Sequence, residues 1–206
     1  KNETNEETIE YFEKQKICYE IIITNDDIQW FIKEISSNKY GTYSIQSLLK
    51  VLSSPEERFF FDKLIELNLP HMLINKNAHH VIIEIIITVP EEKRAFLNNY
   101  IIANVDKIST YEQGCLCLKK FIVNNRNLFI RQRFILSLRE KFYTMIMNKL
   151  SKSILILSMV IYGVNDCHFI IEEVTKNFIP FVGSSVISEN FIEKIVDFDK
   201  IIVAMP

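Results

Sequence analysis

The chain has 206 residues, of which 48% are hydrophobic, and its 24 Lys and Arg against 26 Asp and Glu give a net charge of −2. This hydrophobic content excludes a largely disordered chain, and four Gly with five Pro are too few for the turns of an all-β protein. A nucleic-acid binder with this charge balance would need its basic residues clustered on one surface.

Apolar residues at helical spacing predict a series of helices along the chain. In chain order these predicted helices cover residues 28–35, 41–52, 59–67, 96–102, 130–147, 151–162, 167–174 and 189–198. The sequence Ser54-Pro55-Glu56-Glu57 is a strong helix start, because it combines an N-cap Ser, Pro at the first helical position and Glu three residues after the cap. Thr88-Val89-Pro90-Glu91-Glu92 echoes this start signal one helix later.

The predicted helix Ile130–Met147 is long and has a basic polar side. That side carries Arg131, Arg133, Arg139 and Lys141. We interpret it as a solvated face in preference to a binding stripe.

One short pattern recurs along the whole chain: a small residue, two variable positions, then apolar residues. Its clearest copy is Gly114–Ile122, and other copies begin near residues 41, 78, 151 and 188. The residues that follow the small one are 42, 79, 115, 152 and 189, so successive copies are 37, 36, 37 and 37 residues apart. A period this regular predicts a solenoid of stacked helical repeats. We call the helices that carry this pattern the marker helices.

The repeats predict one continuous array over residues 1–206, with a worn first repeat near residues 5–24. No single unit could bury its apolar face alone, so neighbouring units are expected to stack. The expected fold class is an all-α solenoid of repeats of about 36–37 residues.

Four of the marker segments together resemble successive repeats of the Pumilio (PUF) family. The segments are Tyr40-Gly41-Thr42-x-x-x-Gln46, Asn77-x-x-His80-Val81-Ile82, Ser109-Thr110-x-x-x-Gly114-Cys115-x-x-Leu118 and Ser188-x-Asn190-x-Ile192-Glu193-Lys194-Ile195. The resemblance implies a right-handed, crescent-shaped solenoid of three-helix repeats. Its marker helices would line the concave face and read single-stranded RNA at about one base per repeat.

The resemblance also assigns a five-residue window to each marker helix. The first and fifth residues would touch the edge of a base, and the second would stack on it. The first, second and fifth residues of the five windows are Thr42, Tyr43 and Gln46; His79, His80 and Ile83; Cys115, Leu116 and Lys119; Lys152, Ser153 and Ile156; and Glu189, Asn190 and Glu193.

The windows differ in how well they fit that pattern. The first is close to it, and Gln46 could pair with a uracil-like edge. Ile83 cannot hydrogen-bond, and Lys119 departs from the pattern but could reach a phosphate. The fourth window matches almost nothing, whereas Asn190 and Glu193 suit guanine. The scaffold therefore looks intact while the base-reading positions look eroded.

Two functions remain open from the sequence. The first is binding of single-stranded mRNA in post-transcriptional regulation, which the resemblance implies. The alternative is a scaffold that kept the fold and binds structured RNA, a ribosome or its precursor, or a protein. The first predicts a cytoplasmic, monomeric protein, and the alternative allows the nucleolus.

Other classes of protein are disfavoured. No Gly-rich phosphate loop or hydrolytic acid pair indicates an enzyme, and no cofactor is expected. His79-His80 with Cys115 or Cys117 lacks a third metal ligand at suitable spacing. The longest apolar runs, Ile154–Val164 and Val81–Val89, are too short to span a bilayer.

Overall fold

The computed structural model describes residues 26–52 and 54–177, and within these ranges the elements are helices without any strand. They are α1 (Asp26–Ser37), α2 (Lys39–Val51), α3 (Pro55–Met72), α4 (His79–Thr88), a 3₁₀ helix (Glu91–Arg94), α5 (Ala95–Ala103), α6 (Val105–Ile108), α7 (Glu112–Asn124), α8 (Leu128–Glu140), α9 (Phe142–Ile146), α10 (Lys149–Tyr162) and α11 (His168–Lys176). The prediction of an all-α solenoid is confirmed.

The marker helices are α2, α4, α7 and α10, and each contains the window predicted for it. The marker near residue 188 and the worn repeat near residues 5–24 lie outside the described residues. The chain divides into two compact units, one ending at Val81 and the other beginning at Ile82. A single array over residues 1–206 stays a prediction.

The first unit is built on α1, which packs against both α2 and α3. Its core is formed by fully or almost fully buried side chains of α2 and α3. These are Ile45, Leu49, Phe61, Leu64, Ile65, Leu69 and Met72. The capping box that the sequence predicted for α3 is confirmed, since the Glu57 N–H donates to Ser54 Oγ at 3.1 Å and the Ser54 N–H donates to Glu57 Oε2 at 3.3 Å.

The second unit contains the three-helix repeat in its clearest form. The 3₁₀ helix begins at residue 91, α6 at 105 and α7 at 112, whereas α8 begins at 128, α9 at 142 and α10 at 149. Each of these three starts therefore recurs after 37 residues. Like elements of the two repeats pack side by side, α8 on α5 and α10 on α7. Side-by-side packing of like helices is how neighbouring repeats of a solenoid contact each other.

An aromatic seam joins the helices of this second unit. The ring centroids of Phe121 in α7 and Phe134 in α8 are 5.2 Å apart, and those of Phe134 and Tyr162 in α10 are 6.3 Å apart in an edge-to-face arrangement. Such pairs add about 1 kcal/mol each to the free energy gained by burying the rings. The seam fixes how α8 sits against the two marker helices.

The predicted long helix Ile130–Met147 is wrong. The structure divides it into α8 and α9 at Lys141, whose φ of −104° and ψ of 10° leave helical geometry. The Lys141 ammonium lies 3.1 Å from the Asp106 carboxylate of the preceding repeat. Phe142, the first residue after the break, is fully buried.

The prediction that the basic side of this segment is a solvated face holds for Arg133 and Arg139, which are exposed, but not for Arg131 and Lys141, which are half-buried. Arg131 forms an ion pair with Asp166 and donates to the Tyr162 carbonyl. Arg133 Nη1 donates to Asn99 Oδ1 at 2.9 Å. These partners lie about one repeat away in sequence, so Arg131 and Arg133 connect consecutive repeats by hydrogen bonds.

Glycine is required where α2 and α7 cross the helices that precede them. A Cβ built on Gly114 would lie 2.0 Å from the Ile108 carbonyl oxygen, and one built on Gly41 would lie 2.3 Å from the Ile35 carbonyl oxygen. Both distances are far below van der Waals contact with a backbone atom. The small residue of the recurring pattern therefore permits this close approach.

We predict that Gly114→Ala lowers the free energy of unfolding by about 2 kcal/mol, because the clash with the Ile108 carbonyl costs more than the roughly 1 kcal/mol that Ala gains in helix propensity. Chemical denaturation followed by circular dichroism measures this change. Gln113→Ala, one residue earlier in the same helix, is the matched control. A Gly114→Ala variant as stable as that control would contradict the steric account.

Candidate nucleic-acid interface

The first residue of three windows is buried. Thr42 is 2% exposed, His79 is 4% exposed and Cys115 is 5% exposed, while Lys152 in the fourth window is half-buried. This register follows from the helix, because the apolar residues three and seven positions later are buried. They are Ile45 and Leu49 in α2, Ile82 and Ile86 in α4, and Leu118 and Ile122 in α7. The first positions therefore belong partly to the scaffold.

Each buried first residue is tied to the backbone before a marker helix. Thr42 Oγ1 donates to the Asn77 carbonyl at 3.1 Å, and Cys115 Sγ contacts the Ser109 carbonyl at 3.1 Å. His79 Nδ1 lies 3.0 Å from the Asn75 carbonyl and must carry the hydrogen, because a carbonyl oxygen only accepts. The donor groups of these side chains are thus already used within the protein.

The second residue is exposed in three of the four described windows. Tyr43 is 59% exposed, Leu116 is 46% exposed and His80 is also exposed, whereas Ser153 is half-buried. Ser153 Oγ donates to the Leu150 carbonyl at 2.7 Å. A flat aromatic ring is consequently presented to solvent in the first two windows only, among the four that the structure describes.

The fifth residue lies at the border of the exposed face. Gln46, Ile83 and Ile156 are half-buried, and Lys119 is exposed. Gln46 Nε2 lies 3.4 Å from Thr42 Oγ1, so the polar groups of the first window are neighbours. Beside them is the exposed ring of Tyr43, which gives α2 both an amide and an aromatic face within one helical turn.

The second window is occupied by two imidazoles, those of His79 and His80. Their ring centroids are 4.0 Å apart with an interplanar angle of 36°. Burial lowers the pKa of His79 below its usual value of 6.5, and the hydrogen bond to the Asn75 carbonyl opposes that shift. His79 is therefore neutral at pH 7 and brings no positive charge to this window.

The third and fourth windows lie on α7 and α10, which pack against each other. A hydrogen bond of 2.7 Å between Ser109 Oγ and Ser151 Oγ joins the segment before α7 to the first turn of α10. Burial raises the pKa of the Cys115 thiol, so the thiol stays protonated at neutral pH. The fifth window, with Glu189, Asn190 and Glu193, lies outside the described residues, and its role stays a prediction.

Charge is distributed unevenly along the chain. Residues 26–177 contain 19 Lys and Arg and 16 Asp and Glu, a net charge of +3 against −2 for the whole sequence. The four marker helices α2, α4, α7 and α10 contain six Lys and two Glu, a net charge of +4. The four described window helices are thus basic in sum, although α4 alone has one Glu and no Lys or Arg.

Sequence reasoning missed a recurring asparagine four residues before the windows. Asn38 and Asn148 cap α2 and α10 by accepting hydrogen bonds from backbone N–H groups of the first turn. Asn75 Oδ1 accepts from the Asn77 and Ala78 N–H groups in the same way ahead of α4. Their spacing of 37 and 73 residues was the signal that could have revealed them.

No other kind of site emerges from the described part of the chain. Within it, no group of three or more His, Cys, Asp or Glu is arranged to hold a metal ion. None of its helices combines the length and apolar character that crossing a bilayer requires. The neighbours Cys167 and His168 do not form a pair, because His168 Nδ1 lies 3.1 Å from Glu172 Oε1 and burial raises the pKa of Cys167 to about 12.

The architecture is that of Pumilio (PUF) domains, as comparison with solved structures shows. The chain is similar to Puf4 RNA binding domain bound to HO endonuclease RNA 3′ UTR recognition sequence, with a TM-score of 0.62 and 15% identity over 80% of this chain and 54% of that chain. It is similar to the RNA-binding domain of yeast Puf5p bound to MFA2 RNA, with a TM-score of 0.62 and 17% identity over 86% of this chain and 52% of that chain.

A third similar structure is PUF-8 in complex with PBE-RNA, with a TM-score of 0.62 and 15% identity over 73% of this chain and 43% of that chain. The chain thus spans about half the length of the solved domains that it matches. Neither protein-family models nor the sequences of curated proteins give a match. The predicted resemblance is confirmed at the level of the fold, which is PUF-like and divergent in sequence.

We predict that Thr42→Val lowers the free energy of unfolding by about 1 kcal/mol, because the hydrogen bond from the Thr42 hydroxyl to the Asn77 carbonyl is lost while the side-chain volume is nearly unchanged. Urea denaturation of both proteins measures the difference. Thr88→Val removes a hydroxyl that donates to the Glu84 carbonyl within its own helix at an exposed position, and is expected to change stability by less than about 0.5 kcal/mol. Equal effects of the two substitutions would contradict a structural role for the first window position.

Proposed function

We propose that the chain binds single-stranded RNA through the exposed side of its marker helices and acts in post-transcriptional regulation of mRNA, without catalysis. The observation that carries this proposal is the α2 window. Tyr43 presents an exposed aromatic ring beside the amide of Gln46, and the Thr42 hydroxyl accepts a hydrogen bond from that amide. An aromatic platform next to a hydrogen-bonding amide is the combination that recognises an unpaired base.

The chemistry of this window suits uracil. A base stacked on Tyr43 would gain about 1–3 kcal/mol, independently of its identity. The Gln46 amide offers both a donor and an acceptor, which matches the edge of uracil with its carbonyl oxygens and ring N–H. Stacking would then supply affinity, and the amide would supply preference.

Two further observations support the proposal. The similar domains of Puf4, yeast Puf5p and PUF-8 were each solved with RNA bound. The marker helices carry a net charge of +4, which is the sign that a polyanionic ligand requires on its binding face. For a protein that acts on mRNA in this way, we expect a monomer in the cytoplasm.

A second candidate function rests on the apolar window positions. Ile83 and Ile156 replace hydrogen-bonding side chains at the fifth position, and Leu116 is 46% exposed at the second. Such positions favour a scaffold that contacts a protein, a structured RNA or a ribosomal particle, with the nucleolus as its location when the partner is a ribosomal precursor. Co-purification of the tagged chain with ribosomal particles would support this candidate.

We predict that the double variant Tyr43→Ala/Gln46→Ala weakens binding of a short uridine-containing RNA by about 10- to 100-fold, because one stacked base and its edge contact are lost. Fluorescence anisotropy with the 206-residue chain and a labelled oligonucleotide at 150 mM salt measures the dissociation constant. A scrambled oligonucleotide of the same length reports base preference.

The matched control is Phe129→Ala/Gln132→Ala, which removes an exposed aromatic ring and an exposed amide from α8, outside the marker helices. This control is expected to bind RNA as the wild type does. Undiminished binding by Tyr43→Ala/Gln46→Ala would rule out the α2 window as the base-reading site. Failure of the wild type to bind any single-stranded RNA would rule out the proposed function itself.

A further inference from the structure

Four lysines of the second unit lie on its marker helices α7 and α10. They are Lys119, Lys120, Lys149 and Lys152, and we call them the lysine surface. None of them forms an ion pair or a side-chain hydrogen bond with another residue in the ranges 26–52 and 54–177. In contrast, Arg131 and Lys141 of the same unit are bound to aspartates about one repeat away.

The four lysines lie next to the third and fourth windows. Lys119 is the fifth residue of the third window, and Lys152 is the first residue of the fourth. Lys120 follows Leu116 by four residues and Lys149 precedes Ser153 by four, so each shares a helix face with the second residue of a window. Because α7 and α10 pack side by side, the lysines belong to one surface.

Acidic residues are scarce on these two helices. The only one in either α7 or α10 is Glu112, in the first turn of α7. It is two helical turns before Lys119 and holds in α7 the position that Lys149 holds in α10, so four lysines face one carboxylate on these helices. The potential at the lysine surface is therefore positive, and long flexible ammonium side chains match phosphate oxygens as point charges.

The same two windows have little with which to read a base. The Cys115 thiol is directed to the Ser109 carbonyl, and the Ser153 hydroxyl donates to the Leu150 carbonyl. Leu116 and Ile156 have no hydrogen-bonding group. Cationic groups are thus present where base-specific groups are lacking or already engaged.

Lys152 is the most constrained of the four. It is half-buried, and burial lowers the pKa of its ammonium. A bound phosphate would return to this cation the stabilisation that burial removes.

We propose that the α7–α10 lysine surface binds the phosphates of single-stranded RNA and does not read its bases. This inference rests on the proposed function and assigns the third and fourth windows to the backbone of the ligand. Binding at this surface then depends on charge and on salt concentration, whereas base preference arises elsewhere.

The test is the salt dependence of RNA binding by the variant Lys119→Gln/Lys120→Gln/Lys149→Gln/Lys152→Gln. For single strands, the slope of log affinity against log salt concentration changes by about 0.7 for each phosphate contact. The variant is therefore expected to lose up to about 3 from this slope, measured by fluorescence anisotropy from 50 to 300 mM salt. The ratio of affinities for uridine-containing and scrambled RNA is expected to stay unchanged.

The matched control is Lys93→Gln/Lys107→Gln, which neutralises two exposed lysines of the same unit outside α7 and α10. Thermal melting of both variants tests whether they fold. If the four-residue variant does not fold, the slope is measured with Lys119→Gln/Lys120→Gln, which changes only exposed residues.

Two results would overturn the inference and leave RNA binding intact. One is a slope for the lysine variant equal to that of the control. The other is a lost preference for uridine-containing RNA, whatever the slope, because the lysines would then contact bases. Absence of any RNA binding by the wild type would instead overturn the proposed function together with this inference.

Discussion

The close approach of each marker helix to the backbone before it is the constraint on which the rest of the structure depends. At Gly41 and Gly114 the preceding carbonyl oxygen occupies the space that a Cβ would need. At the corresponding position of α10, Ser151 is fully buried and bonded to Ser109. A small residue here sets how deeply the helix is seated, and the helical period then determines which following residues face the core and which face solvent.

This seating separates the tasks of the window positions. The first residue is drawn towards the connection before a marker helix, as the bonds of Thr42, His79 and Cys115 to backbone carbonyls show. The second residue points away from the core, and its chemistry can change without cost to packing. The scaffold can therefore persist while the exposed positions diverge, which accounts for one window with an aromatic platform and another with Leu116 in the same place.

Net charge was a poor guide to the surface of the described residues because it sums over the whole sequence. Residues 1–25 and 178–206 together contribute −5 to the total, which conceals the positive balance of residues 26–177. Even within the second unit, basic residues of two kinds occur. Arg131 and Lys141 form ion pairs between repeats, whereas the lysines of α7 and α10 form none with the described residues. In the proposed complex with RNA, only the second kind would contact the ligand.

The sequence by itself determined the repeat period, the helical class, the start of α3 at Ser54 and the positions of the windows. The period is the recurrence of one local pattern, and the other features depend on residues within about four positions of each other, where helix geometry leaves little freedom. The tertiary structure alone decided the break at Lys141, the engagement of Arg131 and the bond from Thr42 to the Asn77 carbonyl. Each of those contacts joins residues about 35 positions apart. A local sequence pattern does not predict which side chains meet across the interface between two repeats.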